Sequence, residues 1–367
     1  MTIRKLKYSN FRNLKDGELI FSEGMNIITG ENGQGKTNLI EALWLFNGVK
    51  SFRSAKDKEL IAFQKSHAEV EVDFYASERL QNARIRLLSG KRENYLNEIK
   101  KPSSAYLMGK ITTVVFSPEN LSMIKGGPSL RRKFIDSAIC QVKPKYSALL
   151  ARYNRVLDQR NALLKENKKY ADFSSVLEIW DNELATVGGK IVAERIRYID
   201  TLSQKAGIYH QGISHGKELL SLLYRNRYDT QTPLAQMTED FRLSLQKHRN
   251  EDMQYGFTTH GVHRDDVEIT VNGKNTRLYA SQGQQRSAVL SLKLAQASLI
   301  DEITQSKPAI LLDDVLSELD NDRQNFLLNE IYGTQVFLTC CEYPKADKRF
   351  SGKVFYVNDG VIMPQKE

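Results

Sequence analysis

The sequence is poor in cysteine and proline, and it has no long apolar run. Its 367 residues include three cysteines, Cys140, Cys340 and Cys341, with no Cys-x-x-Cys pair. This small, odd number argues against a disulfide framework or a cysteine zinc site. No stretch approaches the ~20 apolar residues of a membrane helix, and the first residues lack the apolar segment of a signal peptide. These absences predict a cytoplasmic protein with no membrane partner.

Basic and acidic residues are unevenly distributed along the chain, whose net charge is +9. Residues 1–125 contain 20 basic and 14 acidic residues, and residues 126–250 contain 21 and 13. Residues 251–367 reverse the balance, with 12 basic and 17 acidic residues. A basic front and middle indicate a polyanionic partner for those two regions, although many solvated faces are also basic.

Proline is also missing from the stretch between Pro144 and Pro233. Apolar residues recur there at helical spacing, which predicts a helical insert of two or three helices. Gly188 and Gly189 are expected to break one helix, and the heptads are too short for a coiled-coil rod. The flanking regions instead contain short apolar or alternating runs, which predict strands. These runs are residues 25–29, 68–74, 111–116, 267–271, 309–312 and 335–339.

The clearest motif fits the P-loop pattern G-x-x-x-x-G-K-[ST]. It lies between an apolar strand that ends at Thr29 and a helical pattern. Glycines let the backbone N–H groups face phosphate oxygens, and the helix N-terminus adds positive potential. Lys36 is expected to reach the β- and γ-phosphates of ATP, and Thr37 to ligate Mg²⁺. The alternative is a chance glycine-rich turn. The predicted nucleotide-binding residues of this loop are Gly30, Glu31, Asn32, Gly33, Gln34, Gly35, Lys36, Thr37 and Asn38.

Two adjacent carboxylates follow the apolar run 309–312. A carboxylate at the end of a buried strand beside a P-loop holds the magnesium shell, and we predict this role for Asp313. Asp314 is predicted to orient or deprotonate the attacking water. Such a pair is common in any α/β turn, so its meaning depends on the P-loop.

A second helix N-terminus carries a phosphate-binding pattern. Ser281-Gln282-Gly283-Gln284-Gln285 precedes a long amphipathic helix and resembles the signature of the ABC/SMC class of ATPases. Ser281 is expected to cap that helix, and Gly283 to permit close approach. In that class the signature closes over ATP held by the opposite protomer. The resemblance implies an ATP-dependent homodimer in which Ser281, Gly283 and Gln284 contact the partner's nucleotide; the alternative is an ordinary capped helix.

The wider pattern is similar to one family within this class. Ser317-Glu318-Leu319-Asp320 resembles the D-loop, and the order of motifs along the chain is kept. The whole sequence resembles the RecF family of bacterial recombination mediators. The resemblance also includes the opening segment 10–14, the segment 116–121, the residues Gly127-Pro128 and Arg131-Arg132, and the segment 263–266. The resemblance implies an ABC/SMC-type P-loop ATPase head, a mixed sheet flanked by helices, with an all-helical inserted lobe. The predicted head comprises residues 1–125 and 251–367, and the predicted lobe comprises residues 126–250.

The same resemblance implies the function. We expect a weak, DNA-stimulated ATPase that binds single-stranded and double-stranded DNA at junctions and gaps and acts in replication, recombinational repair and the SOS response. RecR, RecO and RecA are the implied partners. The second carboxylate is usually Glu in ABC-type enzymes, so the shorter Asp314 implies slow hydrolysis. One rival hypothesis is the ATPase subunit of a transporter. It is disfavoured by the basic insert and by the lack, near Cys341, of the switch histidine that ABC transporters carry after the last core strand. The other rival is a non-hydrolysing structural DNA binder.

Two further candidates come with alternatives. Arg12 resembles the family's arginine near the nucleotide, or it is a surface arginine. His260, His263, Asp265 and Asp266 suggest a metal cluster, but groups of this kind more often make structural hydrogen bonds. We expect His263 and Arg264 to lie near the dimer interface.

Overall fold

The computed structural model describes residues 1–166, 172–226, 228–342 and 352–365. The chain divides into two compact units. The first, here called the head, comprises Met1–Leu121, Tyr209–Lys217 and Arg286–Glu367. The second, here called the lobe, comprises Ser122–Ile208 and Glu218–Gln285. Among the helices of the described ranges, none has the length and apolarity that crossing a membrane requires.

Strands and helices occur mostly in successive groups along the described chain. The strands are β1 (Thr2–Ser9), β2 (Gly17–Ile20), β3 (Met25–Thr29), β4 (His67–Ala76), β5 (Arg79–Leu88), β6 (Lys91–Leu96), β7 (Ile99–Lys101), β8 (Thr113–Phe116), β9 (Leu220–Tyr224), β10 (Val267–Val271), β11 (Lys274–Asn275), β12 (Ala309–Asp313), β13 (Val336–Cys340), β14 (Gly352–Asn358) and β15 (Val361–Pro364). The helices are α1 (Lys36–Trp44), α2 (Ser122–Lys125), α3 (Pro128–Val142), α4 (Lys145–Lys165), α5 (Phe173–Ile213), α6 (Leu234–Lys247), α7 (Arg249–Tyr255), α8 (Thr276–Tyr279), α9 (Gln282–Thr304) and α10 (Asn321–Glu330).

The described part of the head contains two sheets. An antiparallel sheet has the strand order β2-β1-β4-β5-β6-β7. A mixed sheet has the order β15-β14-β3-β13-β12-β8, and only the β14–β15 pairing in it is antiparallel. Strands β8 and β12 are buried along their whole length, as expected for a parallel sheet covered on both faces. Because β3, β13 and β12 are parallel neighbours, their carboxyl ends meet at one edge of the sheet.

The lobe consists mainly of helices, and the predicted helix break at Gly188 and Gly189 is wrong. Helix α5 runs without interruption through both glycines. A Cβ on Gly188 would lie 2.3 Å from the ring of Phe241, and a Cβ on Gly189 would lie 2.6 Å from the hydroxyl of Thr238. The two glycines therefore let α6 pack closely against α5. Their effect is on helix packing, and α5 is held by the tertiary structure despite their low helix propensity.

The lobe also differs from the prediction in its limits and in its content. Strand β9 lies within the segment 126–250, which the prediction made entirely helical. It pairs with β10, so Val267–Val271 belongs to the same three-stranded sheet. For this reason residues 251–285 fall in the lobe, although they were predicted to be part of the head. The first boundary, after Leu121, lies close to the predicted one at residue 125.

A buried arginine joins three segments of the lobe. Arg160 on α4 is fully buried, and it donates hydrogen bonds to Asp181 (2.7 Å), Asp252 (2.6 Å) and Thr258 (2.8 Å). Asp181 and Asp252 are themselves inaccessible to solvent. Burying a carboxylate is costly unless it is paired and hydrogen bonded, so Arg160 compensates both acids, and Arg249 also pairs with Asp181 (3.0 Å).

We expect Arg160→Met to lower the free energy of unfolding of the chain by about 3–5 kcal/mol, because it leaves buried Asp252 without its cation and Asp181 with Arg249 alone. Urea unfolding followed by circular dichroism measures this change. The matched control is Arg155→Met, at an exposed position on the same helix, with an expected change within about 0.5 kcal/mol. Equal effects of the two substitutions would contradict the assigned role.

Candidate nucleotide-binding site

The loop between β3 and α1 is shaped by glycine. Gly30 and Gly35 have φ angles of 151° and 118°, which strain residues that carry a side chain. A Cβ on Gly30 would also lie 2.4 Å from the carbonyl oxygen of Val357. The first N–H groups of a helix have no intrahelical acceptor. The loop therefore leads into a helix end that offers phosphate oxygens both hydrogen-bond donors and a positive dipole.

Lys36 folds back over this loop. Its Nζ donates to the carbonyl oxygens of Gly30 (2.5 Å) and Glu31 (3.0 Å), and lies 3.6 Å from the Sγ of Cys341. The side chain is largely buried, so the ammonium group is held in one place. In P-loop proteins this group contacts the β- and γ-phosphates, and the observed position fits that role.

Asp313 connects the P-loop helix to the strand edge. It ends β12, is 4% exposed, and accepts hydrogen bonds from the hydroxyls of Thr37 and Thr339, each at 2.9 Å. Burial raises the pKa of its carboxyl group. A bound cation would favour the ionised form, and a hydroxyl and a carboxylate are oxygen donors that Mg²⁺ prefers. Thr37 and Asp313 therefore fit the role of metal ligands.

Asp314 is held differently from its neighbour. Its backbone has a positive φ of 52°, its N–H donates to Thr339 Oγ1 (2.9 Å), and Ser317 Oγ donates to its carbonyl oxygen (2.8 Å). Its side chain lines a cavity of about 500 Å³, and Asn32 of the P-loop and Cys341 line the same cavity. The predicted water-activating carboxylate and the phosphate loop thus share one space within the head.

Arg12 is held by hydrogen bonds to two acidic residues of the head. Its Nε and Nη2 donate to the carboxylate of Glu41 (2.9 and 3.1 Å), and its Nη1 donates to the carbonyl oxygen of Glu59 (3.0 Å). Glu41 lies on α1 and is fully buried. The guanidinium group therefore fixes the segment after β1 to the P-loop helix. A direct contact of Arg12 with the nucleotide stays a prediction.

Two further segments support the P-loop. Asn13 donates from Nδ2 to the carbonyl oxygen of Gly33 (3.3 Å) and accepts from Asn38 (2.6 Å). At the other side, Gln34 Oε1 accepts from the backbone N–H of Asp359 (2.6 Å). The loop is thus braced by chain segments remote in sequence, which helps to keep its shape ready for a ligand.

Sequence analysis did not identify Glu41, Thr339 or Cys341 as part of this site. Thr339 faces Asp313 directly because these residues are register partners in neighbouring strands. Its signal was its place in the run 335–339, predicted as a strand but not placed beside β12. Glu41 had a weaker signal, an acidic residue within an otherwise apolar helix stretch.

Ser281 caps α9 as predicted. Its Oγ accepts from the backbone N–H of Gln284 (3.2 Å), and the side chain of Gln284 accepts from the N–H of Ser281 (2.9 Å). This reciprocal pair is a capping box. Gln284 also donates to Glu218 (2.8 Å). Gly283 is half-buried and lies in the first turn of the helix. Contacts of these three residues with a nucleotide stay predictions.

The segment 263–266 makes internal hydrogen bonds. His263 Nδ1 lies 2.8 Å from the hydroxyl of Tyr153, and burial lowers the pKa of His263 to about 4, so it stays neutral at neutral pH. Asp266 forms a bidentate pair with Arg131 at 2.7 and 2.9 Å. Asp265 accepts from the hydroxyl of Tyr224. These partners favour the structural alternative for this segment over a metal cluster.

One other group of metal-ligating side chains occurs among the described residues, formed by His248, Glu251 and His260. The two imidazole rings are stacked, with centroids 3.6 Å apart and an angle of 18° between the planes. The lone pair of an imidazole nitrogen lies in the ring plane, so two nearly parallel rings do not direct their lone pairs at one ion. The observed arrangement is therefore a ring stack.

Comparison with known proteins places the chain in a family. The model of the RecF/RecN/SMC N terminal domain matches residues 2–348. The chain is 38% identical to the DNA replication and repair protein RecF of Acetivibrio thermocellus over 361 residues, covering 97% of this chain and 98% of that protein. It is also 38% identical to RecF of Bacillus subtilis over 371 residues, covering 99% and 100%.

Solved structures similar to this chain support the same family assignment. The recombination mediator protein RecF-ATP in the RecFOR pathway matches with a TM-score of 0.93 and 34% identity, over 100% of this chain and 98% of that chain. The Smc head domain of Pyrococcus furiosus matches with a TM-score of 0.55 and 18% identity, over 99% of this chain and 96% of that one. The predicted ABC/SMC-type head fold is thereby confirmed. On this sequence and structural similarity, the chain belongs to the RecF family of DNA replication and repair proteins.

Proposed function

We propose that this chain is an ATP-dependent DNA-binding protein that acts in DNA replication and recombinational gap repair. ATP with Mg²⁺ draws two copies together, the dimer clamps DNA, and slow hydrolysis releases it. The observation that carries the proposal is the convergence of Lys36, the Thr37–Asp313 pair and Asp314 on one edge of the head sheet. This edge has the donors for a triphosphate, the ligands for a magnesium ion and a carboxylate for the attacking water.

Each group would have one task in hydrolysis. The loop N–H groups and Lys36 bind and orient the β- and γ-phosphates. Thr37 and Asp313 would hold Mg²⁺, which would neutralise charge on the phosphates when bound. Asp314 positions the attacking water and accepts its proton. Ser281, Gly283 and Gln284 would close the site from the second copy, and Arg12 would contact the nucleotide from the side of α1.

The relatives supply the biological setting. The matched proteins are named for DNA replication and repair, and one solved relative is described as RecF-ATP in the RecFOR pathway. We extend this setting to the present chain: DNA gaps and junctions between single and double strands as substrates, RecR, RecO and RecA as partners, a part in the SOS response, and a cytoplasmic location. A transporter subunit is not favoured, because these relatives are repair proteins.

Charge supports DNA as the polyanion. The two basic regions, residues 1–125 and 126–250, carry 41 of the 53 lysines and arginines. Contacts to the phosphate backbone give affinity without reading bases. They release counterions from DNA, and the entropy gained by this release falls as the salt concentration rises, so binding weakens. We therefore expect DNA to stimulate hydrolysis by favouring the dimer, and we expect this stimulation to fall steeply with ionic strength.

We expect Lys36→Met to abolish ATP-dependent retention of gapped DNA, since the ammonium group that binds the β- and γ-phosphates is removed. Filter binding with ATP, ADP and no nucleotide measures retention. Lys307→Met, at an exposed lysine in the acidic third of the chain, is the control and should behave as wild type. A Lys36→Met protein that holds DNA as well as wild type in ATP would overturn ATP gating.

We expect Asp314→Asn to separate binding from hydrolysis. Loss of the base should slow phosphate release by about 10²- to 10⁴-fold, whereas ATP binding and dimerisation persist. Light scattering with ADP, ATP, and ATP plus DNA should show wild type as a monomer with ADP and a dimer with ATP, and the variant as a longer-lived ATP dimer. If wild type is a monomer under all three conditions, the dimer proposal is wrong. Absence of phosphate release by wild type with DNA would revive the non-hydrolysing structural binder.

A further inference from the structure

The segment that follows Asp314 is attached to α9, the helix capped by Ser281. Arg286 lies on α9, about one turn after that cap. Its Nη1 donates to the carbonyl oxygen of Glu318 (2.9 Å), and its Nη2 lies 3.6 Å from the Glu318 carboxylate. One arginine thus contacts both the backbone and the side chain of the same residue.

A second arginine, on α10, also connects this segment to α9. Arg323 on α10 donates from Nε to the hydroxyl of Ser287 (2.8 Å), the residue next to Arg286, and it pairs with Asp320. Gln324 then donates to the carbonyl oxygens of Leu316 (2.7 Å) and Leu319 (2.9 Å). The carbonyl groups of residues 316, 318 and 319 are therefore bound by side chains of α9 and α10. A shift of α9 relative to α10 would have to move this segment.

The segment in turn contacts the predicted base. Ser317 Oγ donates to the carbonyl oxygen of Asp314 (2.8 Å) and lies 3.2 Å from its carboxylate. Asp314 has a positive φ of 52°, a conformation that a non-glycine residue keeps only when its surroundings hold it. A continuous set of direct contacts therefore runs from α9 through Arg286, Glu318 and Ser317 to Asp314.

We propose that Arg286 is a positioning residue that couples the two ATP sites of the dimer. This inference rests on the proposed function, in which the Ser281 end of α9 engages the ATP of the second copy. That engagement sets the position of α9. Through its contacts with Glu318 and Ser317, Arg286 makes the position of Asp314 in its own site depend on the position of α9. Each site then hydrolyses ATP only when its own α9 has been engaged by the other nucleotide, which is a coupling between two binding sites.

The test compares Arg286→Gln with Arg286→Lys, which keeps the positive charge and a hydrogen-bond donor group but loses the planar fork of the guanidinium. We expect Arg286→Gln to bind a fluorescent ATP analogue and to form the ATP dimer within about twofold of wild type. Its kcat should fall about tenfold to a hundredfold, the effect of a small misplacement of a catalytic group. The ATP dependence should change from cooperative in wild type to a Hill coefficient near 1. Arg286→Lys should restore part of both kcat and cooperativity.

Ser317→Ala provides a second variant at an exposed position, where folding is not at risk. It should reproduce the loss of kcat and cooperativity, in a milder form, with the dimer intact. Unchanged kcat and cooperativity in both Arg286→Gln and Ser317→Ala would overturn the inference, as would loss of ATP binding or of the dimer in Arg286→Gln. Absence of an ATP dimer in wild type would instead refute the proposed function, so the two failures are distinguishable.

Discussion

The hydrogen-bonded carboxylate of Asp313 is the interaction on which the head depends. It lies at the buried end of β12 and accepts from Thr37 on the P-loop helix and Thr339 on β13. A buried acid without donors costs several kcal/mol, so this position requires both hydroxyls. Because β3, β13 and β12 are parallel neighbours, one residue can reach the P-loop and the adjacent strand at once. The sheet topology therefore places the oxygens that we propose as metal ligands before any ligand arrives.

The parts of the site that followed from sequence were the local ones. A P-loop encodes its own conformation, since Gly30 and Gly35 take the positive φ angles that the turn needs. The cap at Ser281 and the strands β3, β12 and β13 likewise depend on short patterns. Thr339 was different, because its role comes from register with Asp313 across the sheet. Nothing in the residues around Thr339 states which strand lies beside it.

The failures of prediction have one physical origin, which is tertiary packing. Gly188 and Gly189 have low helix propensity, yet α5 continues through them because Phe241 and Thr238 occupy the space beside them. Likewise, the sequence did not reveal that Arg12 pairs with Glu41 on α1, a partner that leaves the predicted nucleotide contact untested. The lobe limits shifted because β9 and β10 pair across a long sequence separation. Composition and periodicity contain no information about such partners.

The hydrogen bonds already made at the N-terminus of α9 suggest a reason why ATP would join two chains. A helix end binds anions through unpaired N–H groups and its dipole, but at α9 the capping box already satisfies the N–H groups of Ser281 and Gln284. The side-chain amide of Gln284 also donates a hydrogen bond to Glu218. Such an end has few donors left and should bind free phosphate weakly. A triphosphate already fixed by Lys36 and Mg²⁺ of a second chain pays little further entropy on docking there. ATP held in one P-loop would then be a far better ligand for α9 than ATP in solution, so nucleotide binding would favour the proposed dimer.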